Sequence, residues 1–137
     1  MKIGISIGDP AGIGAEVIAK ALVKYPTEPR MVQFHIFAHP ESFSRLGSFS
    51  FMKEFLDLEG KLWHLVEVAE NVPIPGFGEL SADGGKIAYQ ALKKGIENAL
   101  SGEIDTLVTA PINKKALWLA GCKYPGQTEL LADLTNS

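Results

Sequence analysis

The sequence predicts an α/β fold in which a sheet with a parallel core is flanked by helices. Four short apolar segments, each about as long as a buried strand, recur along the chain. Segments whose apolar residues have helical spacing separate them, and a glycine or a proline follows soon after each strand-like segment. Such alternation of strands and helices is typical of a parallel sheet covered by helices.

The first predicted strand covers residues 2–7 and ends at the turn Gly8-Asp9-Pro10. A helix is then predicted from about Gly14 to Lys24, because apolar residues recur there at helical spacing. Residues 31–38 form the second predicted strand. A short helix is predicted to begin at His39-Pro40-Glu41, with the proline near its first turn.

Residues 47–61 show no single pattern, and residues 62–68 form the third predicted strand. After a loop rich in proline and glycine comes the clearest element of the sequence, a helix with an apolar stripe from Ile87 to Leu100. Either Ser81 or Asp83 is expected to cap its start.

The fourth predicted strand covers residues 106–110 and is closed by Pro111. Asn113 is predicted to cap a helix that runs through Ala120 and ends at Gly121. Another helical pattern begins near Thr128, shortly before the sequence stops. We therefore expect the 137 residues to be a fragment of a longer chain.

Composition limits the classes of protein to which the chain can belong. Apolar residues make up 46% of it and charged residues 21%, as in ordinary globular proteins. A formal net charge of −3 gives no sign of a nucleic-acid partner or of an anionic membrane partner. No stretch approaches the roughly 20 apolar residues of a membrane span. With one cysteine, Cys122, and no signal peptide, we expect a soluble cytoplasmic protein.

The first candidate for chemistry is the glycine-rich turn from Gly8 to Gly14, GDPAGIG. Glycine lets a ligand approach the backbone, and a helix N-terminus offers unpaired N–H groups to an anion. In open α/β sheets, ligands gather at the carboxyl ends of strands, where this turn is predicted to lie. The spacing matches neither the dinucleotide-binding nor the P-loop fingerprint, so a purely structural turn is an equally open interpretation.

Two further turns carry polar residues at the ends of predicted elements. In Thr109 to Lys114, TAPINK, the lysine can reach a phosphate or carboxylate, or can be a solvated lysine in a first helical turn. In Tyr124 to Glu129, YPGQTE, the side chains of Gln127 and Thr128 can hold a polar substrate at a helix start. The alternative for Thr128 is a helix N-cap.

Other chemically suggestive residues are expected to have structural roles. Residues 4–8 match the pattern G-x-S-x-G, but Ser6 lies inside a predicted strand, whereas a nucleophilic serine needs the sharp turn after it. His35 and His64 lie in predicted strands and His39 precedes a proline, so the histidines do not form a zinc-site pattern.

Four blocks of the sequence carry most of its specific pattern. They are GDPAGIGAE (8–16), SADGGKIAYQAL (81–92), DTLVTAPINKKAL (105–117) and YPGQTELLADLT (124–135). Together they resemble the 4-hydroxythreonine-4-phosphate dehydrogenase family of pyridoxal phosphate biosynthesis. The four blocks occur in the same order as in that family and at approximately the same spacing. Each block alone is weak, and residues 39–78 are the least specific part of the resemblance.

The resemblance implies a two-domain α/β subunit related to the isocitrate and isopropylmalate dehydrogenases. Residues 1–137 would be its N-terminal portion, here truncated, and the full-length protein a homodimer. The family oxidises the C3 hydroxyl of 4-phosphooxy-L-threonine with NAD or NADP, and the product, 2-amino-3-oxo-4-phosphooxybutanoate, loses carbon dioxide. A divalent metal (zinc, magnesium, manganese or cobalt) polarises the reacting oxygen. The family's metal-ligand histidines and most of its cofactor contacts lie downstream, which implies no metal ligand in this chain and an inactive fragment.

The resemblance also implies substrate contacts, with one departure from the family. Where the family usually has Gly-His-Thr-Glu, this sequence has Gln127 in place of the histidine. Glutamine keeps hydrogen bonding but cannot titrate near neutral pH. Gln127 and Thr128 are the expected substrate contacts, and no catalytic base is assigned. Further candidates for the cleft are Asp9, Gly12, Asn113 and Lys114.

Three alternatives are open on the sequence alone. A sister dehydrogenase acting on a four-carbon phosphorylated sugar acid, such as a tetronate 4-phosphate, would differ in its substrate. A phosphate acyltransferase of related fold would need neither NAD nor metal. A non-catalytic fragment that binds anions is the alternative from a different class.

Overall fold

The computed structural model describes residues 1–26, 32–47, 49–124 and 127–135. Within them, four parallel strands form one sheet in the order β3-β2-β1-β4. The strands are β1 (Lys2–Ser6), β2 (Gln33–Ala38), β3 (Trp63–Glu67) and β4 (Thr106–Thr109). The predicted α/β class with a parallel core is confirmed, although Met31, where the second predicted strand began, lies outside the described residues.

Helices cover both faces of the sheet. On one face, α1 (Gly14–Val23) and α2 (Met52–Asp57) pack into a core that contains Ile5 and Ile36, neighbours on β1 and β2. On the other face lies α3 (Ala82–Ser101), whose Ala91 is buried with Phe37. Successive residues of a strand face opposite sides, which is why Ile36 and Phe37 belong to different cores.

Ser81, one of the two residues expected to cap α3, caps the start of this helix. The side-chain oxygen of Ser81 accepts a hydrogen bond from the N–H of Gly84 at 3.0 Å. The predicted apolar stripe is buried from Ile87 to Ile96. Leu100, in the last turn of the helix, is 67% exposed, so the buried stripe ends before it.

The helix predicted at His39-Pro40-Glu41 is wrong. The chain there forms turns, followed by a 3-10 turn at Ser44–Leu46. Nδ1 of the buried His39 accepts a hydrogen bond from the N–H of Glu41 at 3.0 Å, and its Nε2–H donates to the carbonyl of Val72 at 2.8 Å. The side chain therefore holds the backbone in a local turn that competes with a helix.

After β4 the chain forms α4 (Lys114–Leu119) and α5 (Gln127–Thr135). The prediction that Asn113 caps α4 is confirmed, since its side-chain oxygen accepts from the N–H of Ala116 at 3.0 Å. The alternative that Thr128 caps α5 is wrong, because the helix already begins at Gln127 and Thr128 lies in its first turn. In the part of the chain that the structure describes, no helix has the length and apolar character needed to cross a membrane.

Candidate functional site

The strand order creates a topological switch point between β1 and β4. From β1 the chain moves outward to β2 and β3, and it then returns to place β4 on the other side of β1. Open α/β sheets bind ligands at such a point, in the crevice outside the carboxyl ends of the two strands. Residues 8–14 follow β1 and residues 110–113 follow β4, so two of the three candidate turns border this crevice.

A cleft of about 620 Å³ occupies the switch point. The turn after β1 contributes Gly8, Asp9 and Gly12 to its lining, and the turn after β4 contributes residues 110–113. Residues 78–80 line it as well. The rest of the lining is largely apolar and includes Ile5, Ile13, Val17, Ile18 and Val108. A concave apolar surface with a few polar groups is typical of small-molecule and cofactor sites.

Asp9 organises the first turn from within. Its carboxylate accepts a hydrogen bond from the N–H of Ala11 at 2.8 Å, and its carbonyl accepts from the N–H of Gly12 at 3.0 Å. These two N–H groups are therefore already engaged. The carboxylate is partly buried at the cleft, where it can accept a hydrogen bond from a ligand.

Gly84 and Gly85, in the second sequence block (81–92), allow residues of the first block (8–16) and the third block (105–117) to approach α3 closely. A Cβ on Gly84 would lie 2.9 Å from the carboxylate oxygen Oδ1 of Asp9, beside the N-terminus of the helix. A Cβ on Gly85 would overlap with the carbonyl oxygen of Ala116 in α4. Negative charge is stabilised near a helix N-terminus, which favours the observed position of Asp9. Three of the four sequence blocks are thus in direct contact.

The structure separates the four predicted cleft residues into two groups. Asp9, Gly12 and Asn113 line the cleft, and Asn113 also caps α4. Lys114, the next residue, is exposed at the start of α4 and is not part of the cleft lining.

The two expected substrate contacts lie at the start of α5. The side chain of Gln127 lies outside the described part of the structure, whereas Thr128 is exposed and does not line the cleft. Tyr124, just before this segment, donates its hydroxyl proton to Oδ2 of Asp133 in α5 at 2.5 Å. This hydrogen bond raises the pKa of Tyr124 to about 12. The roles of Gln127 and Thr128 stay predictions.

The histidines and Ser6 lie away from the cleft lining. Ser6 is buried within β1, as predicted. His35 and His64 are neighbours on β2 and β3, with their ring centroids 4.0 Å apart. Burial lowers the pKa of His35, the nearby charges of His64 and Lys2 lower it further, and Glu103 acts in the opposite direction.

Arg45 is a further residue beside the cleft that was not among the predicted residues, and its guanidinium donates to the carbonyls of Pro10 and Pro75. The partners are 35 and 30 residues away along the chain, so no local pattern could indicate these contacts. The segment that contains Arg45 is also the least specific in the family resemblance.

Comparisons with known proteins identify close relatives of the whole chain. The family model described as "Pyridoxal phosphate biosynthetic protein PdxA" matches residues 11–137. A D-threonate 4-phosphate dehydrogenase of Salmonella typhimurium is 35% identical, over 98% of this chain and 44% of its own length. A 4-hydroxythreonine-4-phosphate dehydrogenase of Thermosynechococcus vestitus is 36% identical, over 100% of this chain and 40% of its own length.

Solved structures agree with this result. A 4-hydroxythreonine-4-phosphate dehydrogenase from Burkholderia phymatum has a TM-score of 0.79 at 33% identity, over 98% of this chain and 43% of that one. One from Klebsiella pneumoniae has a TM-score of 0.77 at 28% identity, over 99% of this chain and 45% of that one. The chain therefore spans less than half the length of the relatives that it matches.

Proposed function

This chain belongs to the pyridoxal phosphate biosynthetic protein PdxA family, and we propose that it is the N-terminal portion of a two-domain, NAD(P)-dependent dehydrogenase. The proposed substrate of the full-length parent protein is 4-phosphooxy-L-threonine. The names of relatives at 33% and 36% identity support this assignment. The main observation in its favour is that residues 8–16, 81–92 and 105–117, three of the four blocks that resemble the family, are in contact near the β1/β4 switch point. The first and third of these blocks contribute residues to the cleft lining.

In the proposed reaction, C3 of the substrate gives up a hydride while its hydroxyl gives up a proton. The product, 2-amino-3-oxo-4-phosphooxybutanoate, has a ketone β to its carboxylate. It loses carbon dioxide because the electron pair of the breaking C–C bond is delocalised into that ketone. NAD or NADP, when bound, supplies the hydride acceptor, and the protein supplies position and charge.

The residues of this chain have binding roles in the proposal. Asp9 accepts a hydrogen bond from the substrate within the cleft, and Gly12 and Asn113 shape its rim. Thr128, which is not part of the described cleft lining, and Gln127 are proposed to contact a part of the substrate that extends beyond the cleft. Lys114 acts at longer range as a positive charge that favours an anionic phosphate or carboxylate. No catalytic base is assigned to this chain.

The described residues do not fit a metal site on their own. Among them, no group of three or more His, Cys, Asp or Glu side chains is arranged to hold a metal ion. In the proposal, the divalent metal (zinc, magnesium, manganese or cobalt) and most cofactor contacts belong to the remainder of a cytoplasmic homodimer.

A second candidate is the oxidation of a four-carbon phosphorylated sugar acid. The relative named for D-threonate 4-phosphate is 35% identical, against 36% for the one named for 4-hydroxythreonine 4-phosphate. The two substrates differ at C2, which carries a hydroxyl in the first and an ammonium group in the second. Gln127 replaces the histidine usual in the family, and we expect it to take part in this discrimination.

Formation of NADH by the full-length parent protein, measured in parallel with the two substrates and with zinc, magnesium or manganese added, tests the proposal. We expect kcat/KM to be at least about tenfold higher for 4-phosphooxy-L-threonine than for D-threonate 4-phosphate. The reverse preference would establish the second candidate. No reduction of NAD or NADP with either substrate would contradict both and favour a non-catalytic, anion-binding protein.

A further inference from the structure

Arg45 contacts two segments that contribute residues to the switch-point cleft, although neither Arg45 nor the residues that it contacts belong to the lining. It lies in the 3-10 turn Ser44–Leu46, between β2 and α2. One guanidinium N–H donates to the carbonyl of Pro10 in the first turn. Another donates to the carbonyl of Pro75 at 2.6 Å, and the guanidinium carbon lies 4.1 Å from the centroid of the Phe77 ring.

The two carbonyl groups that Arg45 binds need a donor. Pro10 and Pro75 are both buried and lie outside helices and strands. Buried carbonyls without a partner are costly, and a single arginine supplies a donor to each. A planar guanidinium can donate in two fixed directions while it stacks on an aromatic ring, whereas a lysine ammonium lacks this geometry. Burial lowers the pKa of the Arg45 guanidinium, against an opposing effect of Glu41, as expected for a desolvated group.

Other hydrogen bonds connect the same parts of the chain. The N–H of Gly78 donates to the carbonyl of Ala11 at 2.8 Å, which joins the 75–80 segment directly to the first turn. His39, from the same connection as Arg45, donates to the carbonyl of Val72 at 2.8 Å. The side chain of Arg45 reaches both the first turn and the segment at residues 75–80, and both contribute residues to the cleft lining.

We propose that Arg45 is a positioning residue of the cleft, which fixes the distance between the turn at residues 8–14 and the segment at residues 75–80. Because Asp9 belongs to the first of these, its place in the cleft depends on the same contacts. The consequence for substrate binding rests on the proposed function, but the effect on the two segments does not.

Hydrogen exchange in the full-length parent protein tests the effect on the two segments. The variants are Arg45→Gln, Arg45→Lys and, as a control, Lys53→Gln at an exposed position of α2. In Arg45→Gln, the amides of Gly12 and Gly78 are expected to exchange at least about tenfold faster, with Ile36 in β2 unchanged. Arg45→Lys should have a smaller effect and Lys53→Gln none. Unchanged exchange at Gly12 and Gly78, or an equal increase at Ile36, would overturn the proposal.

Steady-state kinetics of the same variants test the consequence for the substrate. Arg45→Gln is expected to raise KM for the phosphorylated substrate by about tenfold or more with kcat nearly unchanged, and Arg45→Lys to restore part of the loss. A fall in kcat at constant KM would overturn the positioning role. If the unaltered parent protein reduced no NAD or NADP, the proposed function would fail, and the exchange measurement would still decide the role of Arg45.

Discussion

A Cβ on Gly8 would overlap with the carbonyl oxygen of Pro111, so the turn after β1 and the turn after β4 touch at a point where only glycine fits. The φ angle of Gly8 is not in the left-handed region, and the close approach of the two backbones is therefore the reason for glycine. This contact brings the ends of neighbouring strands together at the switch point.

Gly8→Ala is expected to destabilise the full-length protein by about 1–3 kcal/mol, because an added methyl group in a packed position forces the backbone to shift. Gly14→Ala is the matched control, since its Cβ would make an ordinary contact of 3.7 Å with the Cβ of Ala110. Denaturant unfolding of both variants measures the difference. Equal stabilities would contradict the contact between the two turns.

Asn113 has a stability role that can be separated from its place at the cleft. Asn113→Ala removes the cap of α4 and is expected to cost about 1 kcal/mol, whereas Asn113→Asp keeps a capping oxygen. If Asn113 also borders an anionic substrate, Asn113→Asp should lower kcat/KM because it adds negative charge. Thermal melts and kinetics on both variants measure the two effects. A wild-type melting temperature for Asn113→Ala would contradict the capping role.

The stability of the fold is expected to decrease as the pH falls below about 6.5, the ordinary pKa of histidine. The pKa of His35 is lowered in the folded state, chiefly by burial. As the pH falls from 6.5 through this lowered pKa, the unfolded chain therefore binds a proton that the folded chain does not. Urea unfolding across this range should show that the free energy of unfolding falls more steeply with decreasing pH for the wild type than for His35→Gln. If the free energy of unfolding changed with pH in the same way in both proteins, His35 would not be responsible for the loss of stability.

The elements with strong periodic patterns could be predicted from the sequence, but the order of the strands could not. The stripe of α3 and its cap at Ser81 depend on residues within one or two turns of each other. Strand order depends on which segments pair, and β1 pairs with β4 across roughly a hundred residues. At His39, the side chain holds a local turn in place of the predicted helix, and its ring also binds the carbonyl of Val72, 33 residues away, which no local pattern indicates.

The residues of the candidate site that come directly after the strands could be predicted from the sequence. Asp9, Gly12 and Asn113 line the cleft because the carboxyl ends of parallel strands share one edge of the sheet. Lys114 is instead exposed in the first turn of α4, which agrees with the alternative of a solvated lysine after the Asn113 cap. Arg45 acts through two distant carbonyls, so only the folded structure shows it.

Gln127→Ala in the full-length protein is expected to lower kcat/KM about ten- to a hundredfold, the cost of about 1.5–3 kcal/mol for one hydrogen bond to a charged group. Gln127→His should keep activity and add a pH dependence near ~6.5. Thr128→Ala should change the melting temperature little, since Thr128 is exposed in the first turn and does not cap α5. If kcat/KM of Gln127→Ala equalled that of the wild type, Gln127 would not be a substrate contact.

We propose that this chain supplies one side of a dehydrogenase cleft at the β1/β4 switch point, and NADH formation with 4-phosphooxy-L-threonine tests this role most directly. The assay compares the full-length protein, its Asp9→Asn variant, a Lys93→Gln control on the exposed face of α3, and residues 1–137 alone. Asparagine keeps the oxygen that accepts from Ala11 but removes the charge. We expect turnover by the full-length protein and by the control, a loss of about tenfold or more in kcat/KM for Asp9→Asn, and no turnover by residues 1–137. Unchanged kcat/KM in Asp9→Asn, or turnover by residues 1–137 at the rate of the full-length protein, would contradict this proposal.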